Sequence, residues 1–94
     1  MDEREARLVA EKIVESLRAE EYQILVDRYL NKAEHTEVVG ESGTGYQVEV
    51  EAFWDSIGPG NLRVMVAIDD GGWRALRPLS TDFIVAPDGS FVGE

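Results

Sequence analysis

The sequence has no cysteine. That excludes a disulfide framework, thiolate zinc sites and a thiol nucleophile. No lysine or arginine occurs between Lys32 and Arg63, and residues 35–60 carry only acids. Sequence-independent nucleic-acid binding needs cations to displace counterions from phosphates. No nucleic-acid partner is therefore expected. An anionic membrane surface is disfavoured for the same reason. No stretch approaches the length of a membrane span. The first residues, MDEREARLVAEK, bring acids early and no apolar run, so they do not read as a signal peptide. A cytoplasmic protein is the expectation. The only histidine is His35, read as a solvated residue between helical and strand-like segments. A lone histidine does not make a Ser–His–Asp triad, because geometry rather than composition does.

What is present is 94 residues, 44% hydrophobic, with a net charge of −10. That is one domain's worth of chain, residues 1–94, with ordinary apolar content and patterning too regular for disorder. A domain of this size is expected to be stable by about 5–10 kcal/mol. The acid excess is first of all a solubilising surface.

Residues 2–18 read as an amphipathic helix. Ala6, Val9, Ala10, Ile13, Val14 and Leu17 recur at three- and four-residue steps, with Asp2, Glu3 and Glu5 in the first turn. A second helical pattern runs through Tyr22, Leu25, Val26, Tyr29, Leu30 and Ala33. The five-residue step from Leu17 to Tyr22 turns the apolar stripe by about 140°, so a break is expected near Ala19–Glu21. A strand over Tyr22–Val26 is the competing reading.

From His35 the period changes to two. A short strand at Thr36–Val39 leads through Gly40–Gly45 to Tyr46–Trp54, where Tyr46, Val48, Val50, Ala52 and Trp54 share a face. After a turn at Ile57–Gly60 comes Leu62–Ile68. Asp70-Gly71 signals a tight hairpin returning through Trp73–Arg77. Phe83–Ala86 and Ser90–Val92 flank a last small turn at Pro87–Gly89. Aligning apolar faces pairs Val50 with Val64, Val48 with Val66 and Glu51 with Arg63. The tight turn pairs Ile68 with Trp73, Ala67 with Arg74 and Val66 with Ala75. The expected architecture is α+β: two N-terminal helices packed on one face of an antiparallel, meander-like sheet of about four to six short strands. The helices are expected over Val48, Val50, Val64, Val66 and Ile68. The opposite face then carries Glu49, Glu51, Arg63 and Arg74 together with Phe53, Met65 and Leu76. Three apolar residues on a nominally wet face require a cover, either the C-terminal segment with Phe83 and Phe91 or another chain.

Catalytic and metal motifs are weak. Asp69, Asp70 and Asp88 lack calcium-loop spacing and precede turn glycines, so turn chemistry accounts for them. Glu49 and Glu51 point the same way about 7 Å apart along a strand. Such a pair can act as acid and base, but a wet strand face also alternates acids. The loop Gly40–Gly45 lacks the Gly-Lys-Ser/Thr ending of a phosphate loop. Ser42, Ser56, Ser80 and Ser90 all stand in turn-like contexts. Trp54 and Trp73 suit core or interface positions. No enzyme activity, cofactor or metal is expected.

The segments Tyr46-Gln-Val-Glu-Val-Glu-Ala-Phe-Trp-Asp55, Val66-Ala-Ile-Asp-Asp-Gly-Gly-Trp73 and Asp82-Phe-Ile-Val-Ala-Pro-Asp-Gly-Ser-Phe91 resemble a family of small uncharacterised bacterial domains. The resemblance covers residues 46–91 and implies no activity, cofactor or functional residue. Two helices with a curved antiparallel sheet are also similar to the cystatin/NTF2-like architecture, for which this chain is short and strand-poor. Fold likeness alone carries no function. The leading expectation is a non-enzymatic protein-interaction module, with a protein partner or self-association through a face bearing Phe53, Met65, Leu76, Glu49 and Glu51. One alternative is an acidic inhibitor or immunity-type protein for a basic partner. Another is a small-ligand domain with a cleft lined by Tyr22, Tyr29, Tyr46 and Trp54.

Overall fold

A computed structural model of the chain describes residues 2–72 and 78–94. The first helix, α1, runs Glu3–Arg18. Asp2 caps it, its carboxylate accepting from the Glu5 N–H at 3.1 Å, and Glu3 and Glu5 sit where the helix dipole favours acids. The expected break is there. Glu21 is extended, and a second helix, α2, spans Tyr22–Tyr29. It is eight residues long and has no side-chain cap at its start. So short a helix is held by what it buries, here Leu25 and Tyr29. Asn31 then turns the chain with φ 54°, a left-handed conformation that asparagine tolerates, and its N–H donates to the Ala52 carbonyl at 2.8 Å.

Four strands follow among the described residues: β1 Glu34–Val39, β2 Gly45–Trp54, β3 Leu62–Asp69 and β4 Leu79–Val85. They form one antiparallel meander in the order β1-β2-β3-β4. The buried cluster joins Ala6, Val9, Ala10 and Leu17 of α1 and Leu25 and Tyr29 of α2 to alternate strand residues. Those are Tyr46, Val48, Val50 and Ala52 of β2, Leu62, Val64, Val66 and Ile68 of β3, and Phe83 and Val85 of β4.

Two pairings differ from expectation. Between β2 and β3, Val50 faces Val66 and Val48 faces Ile68, while Glu51 faces Met65 and Phe53 faces Arg63. The ladder is displaced by two residues from the expected Val50–Val64, Val48–Val66 and Glu51–Arg63 alignment. A shift of two leaves every side chain on its original face, so apolar alternation does not distinguish the two ladders. The connecting loop does. Asp55 N–H donates to the Asn61 carbonyl at 2.8 Å, leaving Pro59 in the loop. The expected alignment would put Pro59, which has no N–H, opposite Asp55 next to the ladder.

The second difference concerns the far edge of β3. Its neighbour is β4, so Ile68 faces Leu79, Ala67 faces Ser80 and Val66 faces Thr81, rather than Trp73, Arg74 and Ala75. Residues 73–77, including the expected return strand and Leu76, lie outside the described residues. Asp69 accepts from the Gly71 N–H at 2.7 Å and Asp70 from the Gly72 N–H at 3.1 Å. These side-chain turns bend the chain at the end of β3.

Glu5 ties α1 to the β1–β2 turn. Its carboxylate accepts from Ser42 N–H at 2.9 Å, Ser42 Oγ at 2.7 Å and the Tyr46 hydroxyl at 2.7 Å. The Ser42 hydroxyl, then Tyr46, holds the Glu5 carboxyl below its ordinary value of 4.5. Burial first, and Glu5 second, pushes the Tyr46 phenol up to about 12, so it remains a donor. A depressed carboxyl stabilises the fold above its unfolded value, and that contribution is lost as pH falls through its folded value. Thermal unfolding followed from pH 7 to pH 3 should show the melting temperature falling through the carboxylate range. Ser42→Ala should flatten that acid limb, because it removes the largest cause of the depression. An unchanged limb would place the acid sensitivity elsewhere.

Candidate functional site: the outer face of the sheet

Residues that alternate with the core make up the other face of the sheet. Along β2 they are Gln47, Glu49, Glu51 and Phe53; along β3, Arg63, Met65, Ala67 and Asp69; along β4, Ser80, Asp82 and Ile84. The cross-strand rows are His35–Glu49–Ala67–Ser80, Glu51–Met65–Asp82 and Phe53–Arg63–Ile84. Four of the five expected surface residues thus share one face: Glu49, Glu51, Phe53 and Met65. Phe53 and Met65 are diagonal neighbours, and each is 37% exposed. The fifth, Leu76, lies outside the described residues.

The C-terminal segment does not cover this face, contrary to one of the two covers expected for it. Phe83 is buried in the core cluster, and Phe91 packs edge-on against it at 5.9 Å between centroids. The Arg18 guanidinium lies 3.8 Å above the Phe91 ring and pairs with Glu94 at 2.7 Å. The reason lies in strand parity. In β4, Phe83 and Val85 stand on the core side and Ile84 on the outer side. The turn at Ala86–Ser90, which brings Phe91 back beside Val85, therefore delivers its ring to the core.

The charges on the outer face are unequally matched. Arg63 donates to Asp55 Oδ1 from Nη2 at 2.8 Å and from Nε at 3.1 Å, and from Nη1 to Asp82. Asp82 first and Asp55 second raise the guanidinium's already high pKa. Glu37 accepts from the Gln47 amide at 2.8 Å. His35, well exposed, reaches Glu49 Oε2 at 3.3 Å. Glu51 is half-buried and has no hydrogen-bond or ion-pair partner among the described residues. Between these carboxylates and Met65 lies a shallow depression of about 180 Å³, lined by Glu49, Glu51, Phe53, Met65, Ala67 and Ser80.

Sequence reasoning placed Glu49, Glu51, Phe53 and Met65 together by parity alone. It missed the Asp55–Arg63–Asp82 cluster and Ile84. The alternation of Ser80, Asp82 and Ile84 was the available signal, obscured by starting the last strand at Phe83. Larger apolar grooves flank α1. One of about 570 Å³ faces β4 and includes Ala10, Val14 and Leu79. Another of about 490 Å³ faces β1 and includes Leu8, Ile13, Val38 and Val39. Tyr22, Tyr29, Tyr46 and Trp54 do not converge on a shared cleft. Tyr29 and Tyr46 are buried, Tyr46 bonds toward Glu5, and Tyr22 donates to the Gly60 carbonyl at 2.6 Å. Among the described residues no group of three or more His, Asp or Glu side chains is arranged to hold a metal ion. No helix there is long and apolar enough to cross a membrane. Comparison with known proteins finds no matching family model, no matching curated protein and no matching solved structure.

Proposed function

We propose that this chain is a non-enzymatic, cytoplasmic protein-interaction module whose two helices cover one face of the sheet and whose opposite face docks a protein partner. One observation supports this most directly. Phe53 and Met65 stand exposed side by side among carboxylates of which Glu51 has no partner among the described residues. An apolar centre inside a charged rim is the usual anatomy of a docking surface. The charge favours a basic partner over a second copy. A homodimer through this face would bring Glu49 and Glu51 against carboxylates of the same surface, and like-charge juxtaposition opposes association. Steering by an acidic face also accelerates encounter with a cationic protein, and salt weakens that effect. Homodimerisation remains the second reading, supported by the apolar contacts Phe53, Met65 and Ile84 would offer.

Affinity capture with the wild-type chain and Phe53→Glu, in low and high salt, tests the proposal. A stoichiometric basic protein should be retained at low salt, released at high salt and lost in the variant. Phe53 is exposed, so the variant should melt close to wild type. For the homodimer reading, light scattering should show mass rising with concentration, and Phe53→Glu should abolish the rise. A monomer at every concentration, with no partner that depends on this face, overturns both readings.

A further inference from the structure

From the geometry of the outer face we infer that the depression beside Met65 seats a single arginine side chain of the partner, its guanidinium bridging Glu49 and Glu51. The inference rests on the interaction reading above and names the group that reading leaves open. The same face already holds one such unit. Arg63 extends between Phe53 and Ile84 in its row and bonds Asp55 on one side and Asp82 on the other. Glu49 and Glu51 form a second carboxylate pair about 7 Å apart along β2, and no cation of the described residues lies between them. Among the described residues Glu51 is half-buried without a partner, and Glu49 has only the His35 contact. A partly desolvated carboxylate gains most from a charged donor that fits its geometry.

Arginine suits the seat better than lysine. Its planar guanidinium has several donors spread over a plane and can serve two carboxylates at once, whereas an ammonium is a compact point charge. Its aliphatic stem can lie along Met65 and Phe53 while the head stays polar. Arginine is also enriched among the few residues that dominate interface energetics. The depression, about 180 Å³ and lined in part by Ala67, is of a size for one side chain rather than a folded element. Self-association is opposed here by the repeated carboxylates.

The probe is a capped Ala-Arg-Ala peptide titrated into the full chain, followed by NMR at the Met65 methyl and the Glu49, Glu51 and Ser80 amides. Ala-Lys-Ala and Ala-Glu-Ala are the comparisons. Saturable shifts confined to these positions are expected, with roughly millimolar affinity for one isolated side chain. The arginine peptide should bind about threefold or more tighter than the lysine peptide. Glu51→Gln should weaken it by roughly fivefold, and Met65→Ala should weaken it while leaving the melting temperature close to wild type. Absence of saturable shifts, or equal binding to Glu51→Gln, overturns the inference. If capture still finds a partner lost in Phe53→Glu, the docking face stands and only the arginine anchor falls. If the peptide leaves the face unshifted while Met65→Ala abolishes self-association, the face belongs to a second copy and the inference is again overturned.

Discussion

Leu25→Ala should destabilise the protein by about 2–5 kcal/mol, read as a lowered denaturant midpoint with an unchanged slope. Leu25 is 1% exposed and sits at the centre of an eight-residue helix that has no side-chain cap. So short a helix is not stable by itself. Its position over β2 depends on Leu25 and Tyr29 entering the core and on the Asn31–Ala52 hydrogen bond that follows. Removing the isobutyl group loses its transfer free energy and leaves a cavity against rigid strands, which cannot collapse to fill it. Against a total stability of about 5–10 kcal/mol, that loss is a large share of what holds the fold together. Ile24→Ala is the matched control. Ile24 belongs to the same helix but is largely exposed, so its loss should be no more than about 0.5 kcal/mol. A cost for Leu25→Ala as small as that for Ile24→Ala would mean that α2 contributes little to global stability.

Gly58→Ala should cost roughly 1–3 kcal/mol, the range for forcing extra volume into a packed site. A Cβ at Gly58 would meet Cγ, Cδ1 and Cδ2 of the Trp54 indole. Those atoms lie near the root of the side chain, so a rotation of the ring's far end does not relieve the overlap. Trp54 cannot readily withdraw, because it packs against the core cluster. The loop is also held at its far side, where Tyr22 donates to the Gly60 carbonyl. Gly60→Ala provides the control: no atom lies within 4 Å of a Cβ built there, and the carbonyl used by Tyr22 is retained. Its effect should stay within about 0.5 kcal/mol. Repeating Gly58→Ala in a Trp54→Leu background should remove most of the cost, because the pair is in direct contact and should couple. Chemical denaturation of the four variants decides the matter. A full-sized loss that persists without the indole would place the origin in the backbone. Ile57, the neighbour of Gly58, is 97% exposed, so the same loop presents an apolar tip that these variants would also displace.

Helix starts and the break between the helices were legible because they depend on neighbours in sequence, but the end of α2 was not: its apolar pattern runs on to Ala33, whereas the helix stops at Tyr29 and Leu30 is already extended. Asp2 caps α1 through Glu5, three residues away. The break after Arg18 follows from a five-residue step in the apolar stripe, which one straight helix cannot bury on one side. Strand faces were equally legible. Parity assigns Tyr46, Val48, Val50 and Ala52 to the core and Glu49, Glu51 and Phe53 to the other side, whatever each strand pairs with. Those are local properties, and local covalent geometry carries them. Strand partners and register are not local. A two-residue slide between β2 and β3 keeps every face correct, so only the closed geometry of the 55–61 loop selects Val50–Val66 over Val50–Val64. The Asp70-Gly71 dipeptide has the chemistry of a tight hairpin, yet Asp69 and Asp70 accept from the Gly71 and Gly72 N–H groups and β3 pairs with Leu79–Val85. The ion pairs follow the register. Once Arg63 stands opposite Phe53 rather than Glu51, its guanidinium reaches Asp55 and Asp82, and Glu51 is left without a cation among the described residues. Sequence by itself thus determined which residues of α1, β2 and β3 face the core and which face outward, but not the side taken by Phe83 and Phe91. Tertiary structure decided which outward carboxylate is unmatched, because that depends on distances between strands far apart in the chain.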